Sequence, residues 1–289
     1  MTIKASDVKN LRDKTGLGMM ECKKALEAAD GNLEEAITNL RKNSALKAEK
    51  KSGRTAVEGI ILAEKTDKEI LFVEVNCETD FVAKDQNFLD FCNETLSFAT
   101  SKSSSENIFE EVSSAMEEKR MSLVQKIGEN IIIRKIEVIS GEITEFYIHS
   151  NRKIASGVSL ISGSEAVAKE ISMHIAATNP IVLSPEDLDK EFVEKEREIF
   201  RSQVENTDKP KEILEKMVEG KLSKQLADIS LLKQPFVKDP SKKIETFLSE
   251  SSSEIKSFIR LEVGEGIEIE KKDFAEEVQS QLDLSLIHI

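Results

Sequence analysis

The side chains best suited to metal binding or nucleophilic attack in this 289-residue chain are three histidines and three cysteines: His149, His174, His288, Cys22, Cys77 and Cys92. No histidine has a Cys, His or carboxylate at metal-ligand spacing, so no zinc site is expected. Cys22 and Cys92 fall on apolar helical stripes, where a thiol acts as a small buried hydrophobe. Cys77 ends a strand beside Glu78, whose charge raises a thiol pKa rather than activating it. The phosphate-binding glycine patterns also fail. Gly16-Leu17-Gly18 and Gly264-Glu265-Gly266 lack a third glycine and a following helix, and Gly220-Lys221 lacks both the upstream glycine and the Ser or Thr of a phosphate loop. Basic residues are not interleaved with stacking aromatics, so single-strand binding is poorly supported. The reading is a protein that is not an enzyme and carries neither cofactor nor metal.

The composition narrows this further. Lys and Arg number 41 against 54 Asp and Glu, a net charge of −13. Apolar residues make up 39% and charged residues 33%, enough for a core under a well-solvated surface. An acidic chain is a poor coat for nucleic acid, since phosphate neutralisation needs clustered positive charge. There is no apolar run of about 18 residues and hence no expected membrane span. Met1–Ala5 begins neither a secretory signal nor a transit peptide, and three cysteines make no disulfide framework. The expectation is a soluble cytoplasmic protein. Charge is unevenly spread: residues 1–54 hold 12 Lys and Arg against 8 Asp and Glu, net +4, leaving −17 on the rest. With no Trp, one Tyr and 13 Phe, aromatic packing falls to Phe, and an exposed Phe is a functional signal.

The elements that must position any site follow from periodicity. Residues 1–54 read as three short helices and a linker. Ser6 caps the first, Thr15–Gly18 breaks it, and Cys22, Ala25, Leu26 and Ala29 stripe the second. Asn32 with Glu35 caps a third bearing Leu33, Ala36, Ile37 and Leu40, and residues 41–54 read as helix end and linker. Residues 55–140 form a first half-domain: a hairpin across Thr66-Asp67-Lys68, a helix over 88–99, a long helix over 107–127 and a strand over 130–139. Residues 141–263 repeat the order, with a hairpin over 143–161, a helix over 164–177 and a closing strand over 255–263. Into this second half is set a helical hairpin over 185–227, opened by Ser184-Pro185-Glu186-Asp187. The class is α+β, with two related halves bearing antiparallel sheets. Residues 264–283 form a C-terminal module with a short helix at Phe274–Val278. Residues 284–289 match a translated transposase-adaptor end, CTGTCTCTTATACACATC, and read as a non-native tail.

Two stretches are far more specific. Leu11–Leu26 (LRDKTGLGMMECKKAL) and Glu74–Lys84 (EVNCETDFVAK) closely resemble the two signatures of the bacterial elongation factor Ts family. The similarity continues through Lys126–Asn130, His174–Ala177, Lys211–Gly220, Gln234–Val237 and Phe258–Gly266, covering about residues 2–280. The resemblance implies guanine-nucleotide exchange on elongation factor Tu, with a ubiquitin-associated-like N-terminal module docking on that GTPase. It implies that Asp80 and Phe81, flanked by Thr79 and Val82, insert beside the partner's Mg²⁺ site, and that Ile127 and Gly128 approach its phosphate loop. It further implies contacts from Lys9, Arg12, Met19 and Met20 of the module and from His174 of the second half. The C-terminal segment would reach another GTPase helix. The helical hairpin would either only brace the partner or also join two copies as a homodimer within the complex.

Read from the residues alone, Phe81 is either a core plug at a strand-to-helix turn or an exposed wedge, and Thr79-Asp80 before it favours the wedge. His174, on an apolar stripe, is either a satisfied core histidine or a contact. Three other functions compete. A ubiquitin-type binding module leaves Glu74–Lys84 without a role, a chaperone or scaffold has no need of Asp80-Phe81, and a cysteine hydrolase lacks the thiol–histidine pairing.

Overall fold

The computed structural model describes residues 3–204 and 210–268. Helices α1 (Ala5–Thr15), α2 (Met19–Ala28) and α3 (Leu33–Ser52) pack Val8, Leu11, Leu17, Cys22, Leu26, Ala36 and Leu40 into a small core. Asn32 caps α3 by accepting from the Glu34 and Glu35 amides at 3.1 and 3.3 Å. Ser6, expected as the cap of α1, lies inside it; Lys4 holds the N-cap position with no side-chain bond. The expected linker is also different. Helix α3 continues through it to Ser52, because Leu40, Ser44 and Ala48, four residues apart, bury one stripe.

The first half-domain runs β1 (Glu58–Lys65), β2 (Glu69–Cys77), α4 (Gln86–Thr100), α5 (Ile108–Ile127) and β3 (Ile131–Ser140). Its antiparallel sheet has the order β1-β2-β3. The second runs β4 (Ile143–Ile148), β5 (Ile154–Ser162), α6 (Glu165–Thr178), α7 (Lys190–Val204), α8 (Lys211–Asp228), β6 (Pro235–Phe236), β7 (Asp239–Lys243), α9 (Ile244–Glu250) and β8 (Glu254–Glu262). Its main sheet has the matching order β4-β5-β8. The same arrangement therefore occurs twice, and the chain is α+β. Helices α7 and α8 pack on one another as the hairpin. Ser184 and Asp187 do form a capping box, but it closes only a single 3-10 turn, Pro185–Asp187. Leu188 is extended there, so α7 starts later, with Asp189 accepting from the Glu191 amide at 3.0 Å.

Each of the two three-stranded sheets is covered on both faces. Helices α4 and α5 cover one face of the first sheet through Leu71, Val73, Phe88, Val112, Val124 and Ile133. Helices α6 and α9 cover the second through Val158, Ile171, Ile175, Ile244 and Leu248. The remaining faces meet each other through Ile61, Ile70, Phe72, Ile139, Ala155 and Leu261. Phe72 is fully buried and meets Phe146 edge-on at 6.2 Å, burial that contributes about 2–3 kcal/mol by area. The expected helix at Phe274–Val278 and the tail over 284–289 lie outside the described residues.

Candidate partner-binding site

Strand β2 is buried along almost its whole length and must surrender the chain to α4 at its end. The connection takes eight residues, 78–85. Val82–Lys84 form a 3-10 turn, and Asp85 caps α4 by accepting from the Asn87 and Phe88 amides at 2.9 and 3.4 Å. Between strand and turn stand Glu78, Thr79, Asp80 and Phe81. Glu129, in the loop from α5 to β3, holds them from the side. Its carboxylate accepts from the Glu78 amide at 3.1 Å, the Thr79 amide at 3.0 Å and the Thr79 hydroxyl at 2.8 Å. Glu78 returns the contact by accepting from the Asn130 amide at 2.6 Å. Charge-assisted bonds of this kind are roughly twice as strong as neutral ones, so the two segments are fixed to each other.

On this clamp Phe81 is 81% exposed, the most exposed large apolar side chain among the described residues. A core plug is thereby excluded. Asp80 beside it pairs with Lys84 at 2.8 Å, which holds its carboxyl below the usual range and raises the Lys84 ammonium. Val82, expected among the wedge residues, is only 8% exposed and packs in the first core as part of the 3-10 turn that follows Phe81.

The second expected contact lies against the first. Ile127 is half-buried on the same core and ends α5. Gly128 follows in the left-handed region at φ 89°, its amide donating to Val124 O at 2.8 Å, a position that L side chains resist. Thr79, Phe81, Val82, Asp85, Ile127 and Glu129 line one shallow groove. The far end of α3 is tied to the same loop: Lys51 Nζ donates to Gly128 O, and Asn130 Nδ2 donates to the Ser52 and Arg54 carbonyls at 3.3 and 2.8 Å. Glu129, Asn130 and Lys51 were not expected as site residues. Residues 126–130 stood out as a motif, but the partners of Glu129 lie some 50 positions earlier in the chain and spacing cannot show them.

On the N-terminal module Lys9 and Arg12 are exposed on α1, and Met19 and Met20 are 45% and 64% exposed at the start of α2. The module is oriented by polar contacts to α5: Gln125 donates to Glu21 at 2.7 Å, Arg41 pairs with Glu118 at 2.9 Å, and Ser44 donates to Gln125, while Lys47 pairs with Glu21 at 2.6 Å within the module. His174 is corrected from a contact to an internal strut. It is fully buried, with Nε2 on Gln234 Oε1 at 2.9 Å and Nδ1 accepting from the Val237 amide at 3.2 Å. Burial, outweighing the Gln234 bond, lowers its pKa and keeps the ring neutral.

The cysteines are buried and unpaired. Burial first, and then the Glu129 and Glu58 charges, push the Cys77 thiol up to about 12, while burial raises Cys92 well above its ordinary value. Neither is an activated nucleophile. Among the described residues no three His, Cys, Asp or Glu are grouped to hold a metal, and no helix is long and apolar enough to cross a membrane. The arrangement is a hydrogen-bonded turn that leaves one aromatic, Phe81, exposed.

Known proteins resemble this chain over most of its length. Residues 78–265 match the family model described as elongation factor TS. The chain is 50% identical over 278 residues to elongation factor Ts of Marinobacter nauticus, covering 96% of each. It is 48% identical over 282 residues to the Hahella chejuensis protein of that name, covering 97% of this chain and 98% of that one. The Haemophilus ducreyi protein is 49% identical over 277 residues, 96% of each. With the signature turn intact and the likeness running nearly end to end, this chain belongs to the elongation factor Ts family of translation elongation factors.

Proposed function

We propose that this chain is a guanine-nucleotide exchange factor that binds elongation factor Tu and promotes release of GDP without making or breaking a covalent bond. The observation that carries the reading is Phe81, exposed on a turn that Glu129 holds rigid beside Ile127 and Gly128. A rigid aromatic presented at low entropic cost is the chemistry of an interface anchor. Asp80 and Phe81 would enter beside the partner's Mg²⁺ site, and Ile127-Gly128 would approach its phosphate loop. Mg²⁺ neutralises diphosphate charge, so displacing its ligands weakens both ions together. Linkage sets the rest: a factor that binds the nucleotide-free GTPase more tightly than the GDP form must weaken GDP by the same ratio. Lys9, Arg12, Met19 and Met20 would dock the module on the GTPase domain.

The experiment is release of labelled GDP from elongation factor Tu with and without this protein. Acceleration at micromolar concentration supports the reading, and none refutes it.

A further inference from the structure

Glu74 lies on β2, five residues before Thr79, and is fully buried. A carboxylate there needs partners, and two come from separate parts of the chain. Arg134 Nη1, on β3, pairs with Glu74 Oε1 at 2.9 Å. The Gly264 amide, just past the end of β8, donates to the same oxygen at 3.0 Å. Arg134 Nη2 also donates to the Glu265 carbonyl. Gly264 sits at φ 76°, and a Cβ there would come within 2.5 Å of Val57 O, so the turn is pressed onto the first half-domain. Arg260 pairs with Glu262 at 2.7 Å and, at 3.9 Å, with the side chain of Glu265, the residue whose carbonyl Arg134 holds. The pair sits where the chain leaving the second sheet crosses the first.

A buried ion pair is a poor source of net stability, because desolvation offsets its attraction; its best-attested use is to select one arrangement. Glu74 Oε2 is buried without a partner, which sharpens the point that packing alone did not place this charge. We infer that Glu74 and Arg134 are positioning residues. They pin the turn at 264–266 onto the strand that leads into Thr79–Phe81, so that the second half-domain and the chain leaving it meet a partner in one fixed relation to the wedge. That relation to a partner rests on the exchange function proposed above; the pin itself does not.

The test compares the full chain with Glu74→Gln and with the double variant Glu74→Leu/Arg134→Leu, which removes both charges together. Amide hydrogen exchange is followed over 254–268, and binding to nucleotide-free elongation factor Tu is measured alongside. The expected result is exchange at least tenfold faster at 264–268 in the double variant, with β5–β8 amides still protected, and binding weakened about tenfold. Glu74→Gln keeps an acceptor for Gly264 and should lie between. Unchanged protection at 264–268 overturns the pin, as does loss spread evenly over both sheets in Glu74→Gln. If the wild-type chain fails to bind elongation factor Tu, the exchange reading falls while the amide data still decide the pin.

Discussion

Glu129 grips Thr79 twice, accepting from its amide at 3.0 Å and from its hydroxyl at 2.8 Å. One carboxylate thereby joins the end of β2 to the loop after α5 and holds both segments proposed to meet the GTPase. Substituting Glu129→Ala leaves the Glu78 and Thr79 amides without their acceptor. The expected cost is about 2–3 kcal/mol in urea unfolding, with GDP release slowed as the turn loosens.

Phe81 and Val82 are neighbours with opposite duties. Truncating Phe81→Ala removes an exposed ring and should change unfolding free energy by no more than about 0.5 kcal/mol. Under the exchange reading it should slow GDP release at least tenfold. Val82→Ala instead opens space beneath the turn and should cost about 1–2 kcal/mol. Equal destabilisation by the two variants would contradict their different burial.

At Gly128 the issue is backbone rather than room. The nearest atom a Cβ would meet is Lys51 Nζ, at 4.0 Å, so Gly128→Ala fits sterically. The left-handed φ of 89° is what an alanine resists, at about 1–2 kcal/mol. A melting temperature lowered by a few degrees checks this, and no change would mean that the loop relaxes freely.

The buried ring of His174 makes stability depend on pH in a definite direction. Its folded pKa is lowered, so between the folded value and the unfolded value near 6.5 the unfolded chain binds more protons. Its contribution is complete above that unfolded value and is lost as pH falls through the window below it. Protonation also sets an N–H at Nδ1 against the Val237 amide that now donates to it. Urea midpoints at pH 7.5 and 5.5 should differ more in the wild type than in His174→Gln. The reverse order would show the ring to be charged in the fold.

The sequence conveyed much of this because many of its signals are local. Asn32 caps where a cap was expected, Thr66–Lys68 turns the first hairpin, and the repeated strand–strand–helix–strand order is visible as two matching sheets. What was hidden depends on distance along the chain or on small residues. The lysines of 47–51 suggest a linker, yet Ser44 and Ala48 are small enough to let α3 lie on α5. The sheet β6-β7 and helix α9 went unseen, being too short for periodicity to register. His174 lies on the apolar stripe that its spacing indicated, and that is why it serves the core rather than the surface.

Helix α3 joins the module that carries Met19 and Met20 to the loop that carries Gly128 as one continuous rod of 20 residues, roughly 30 Å long. A rod transmits phase as well as length. Adding one residue would turn everything on its N-terminal side by about 100° and advance it by only about 1.5 Å. The two methionines would then face another direction while their own small core stayed whole. The direction in which Met19 and Met20 face relative to Gly128 is thus fixed by the register of this helix together with the Glu21–Gln125 and Arg41–Glu118 contacts.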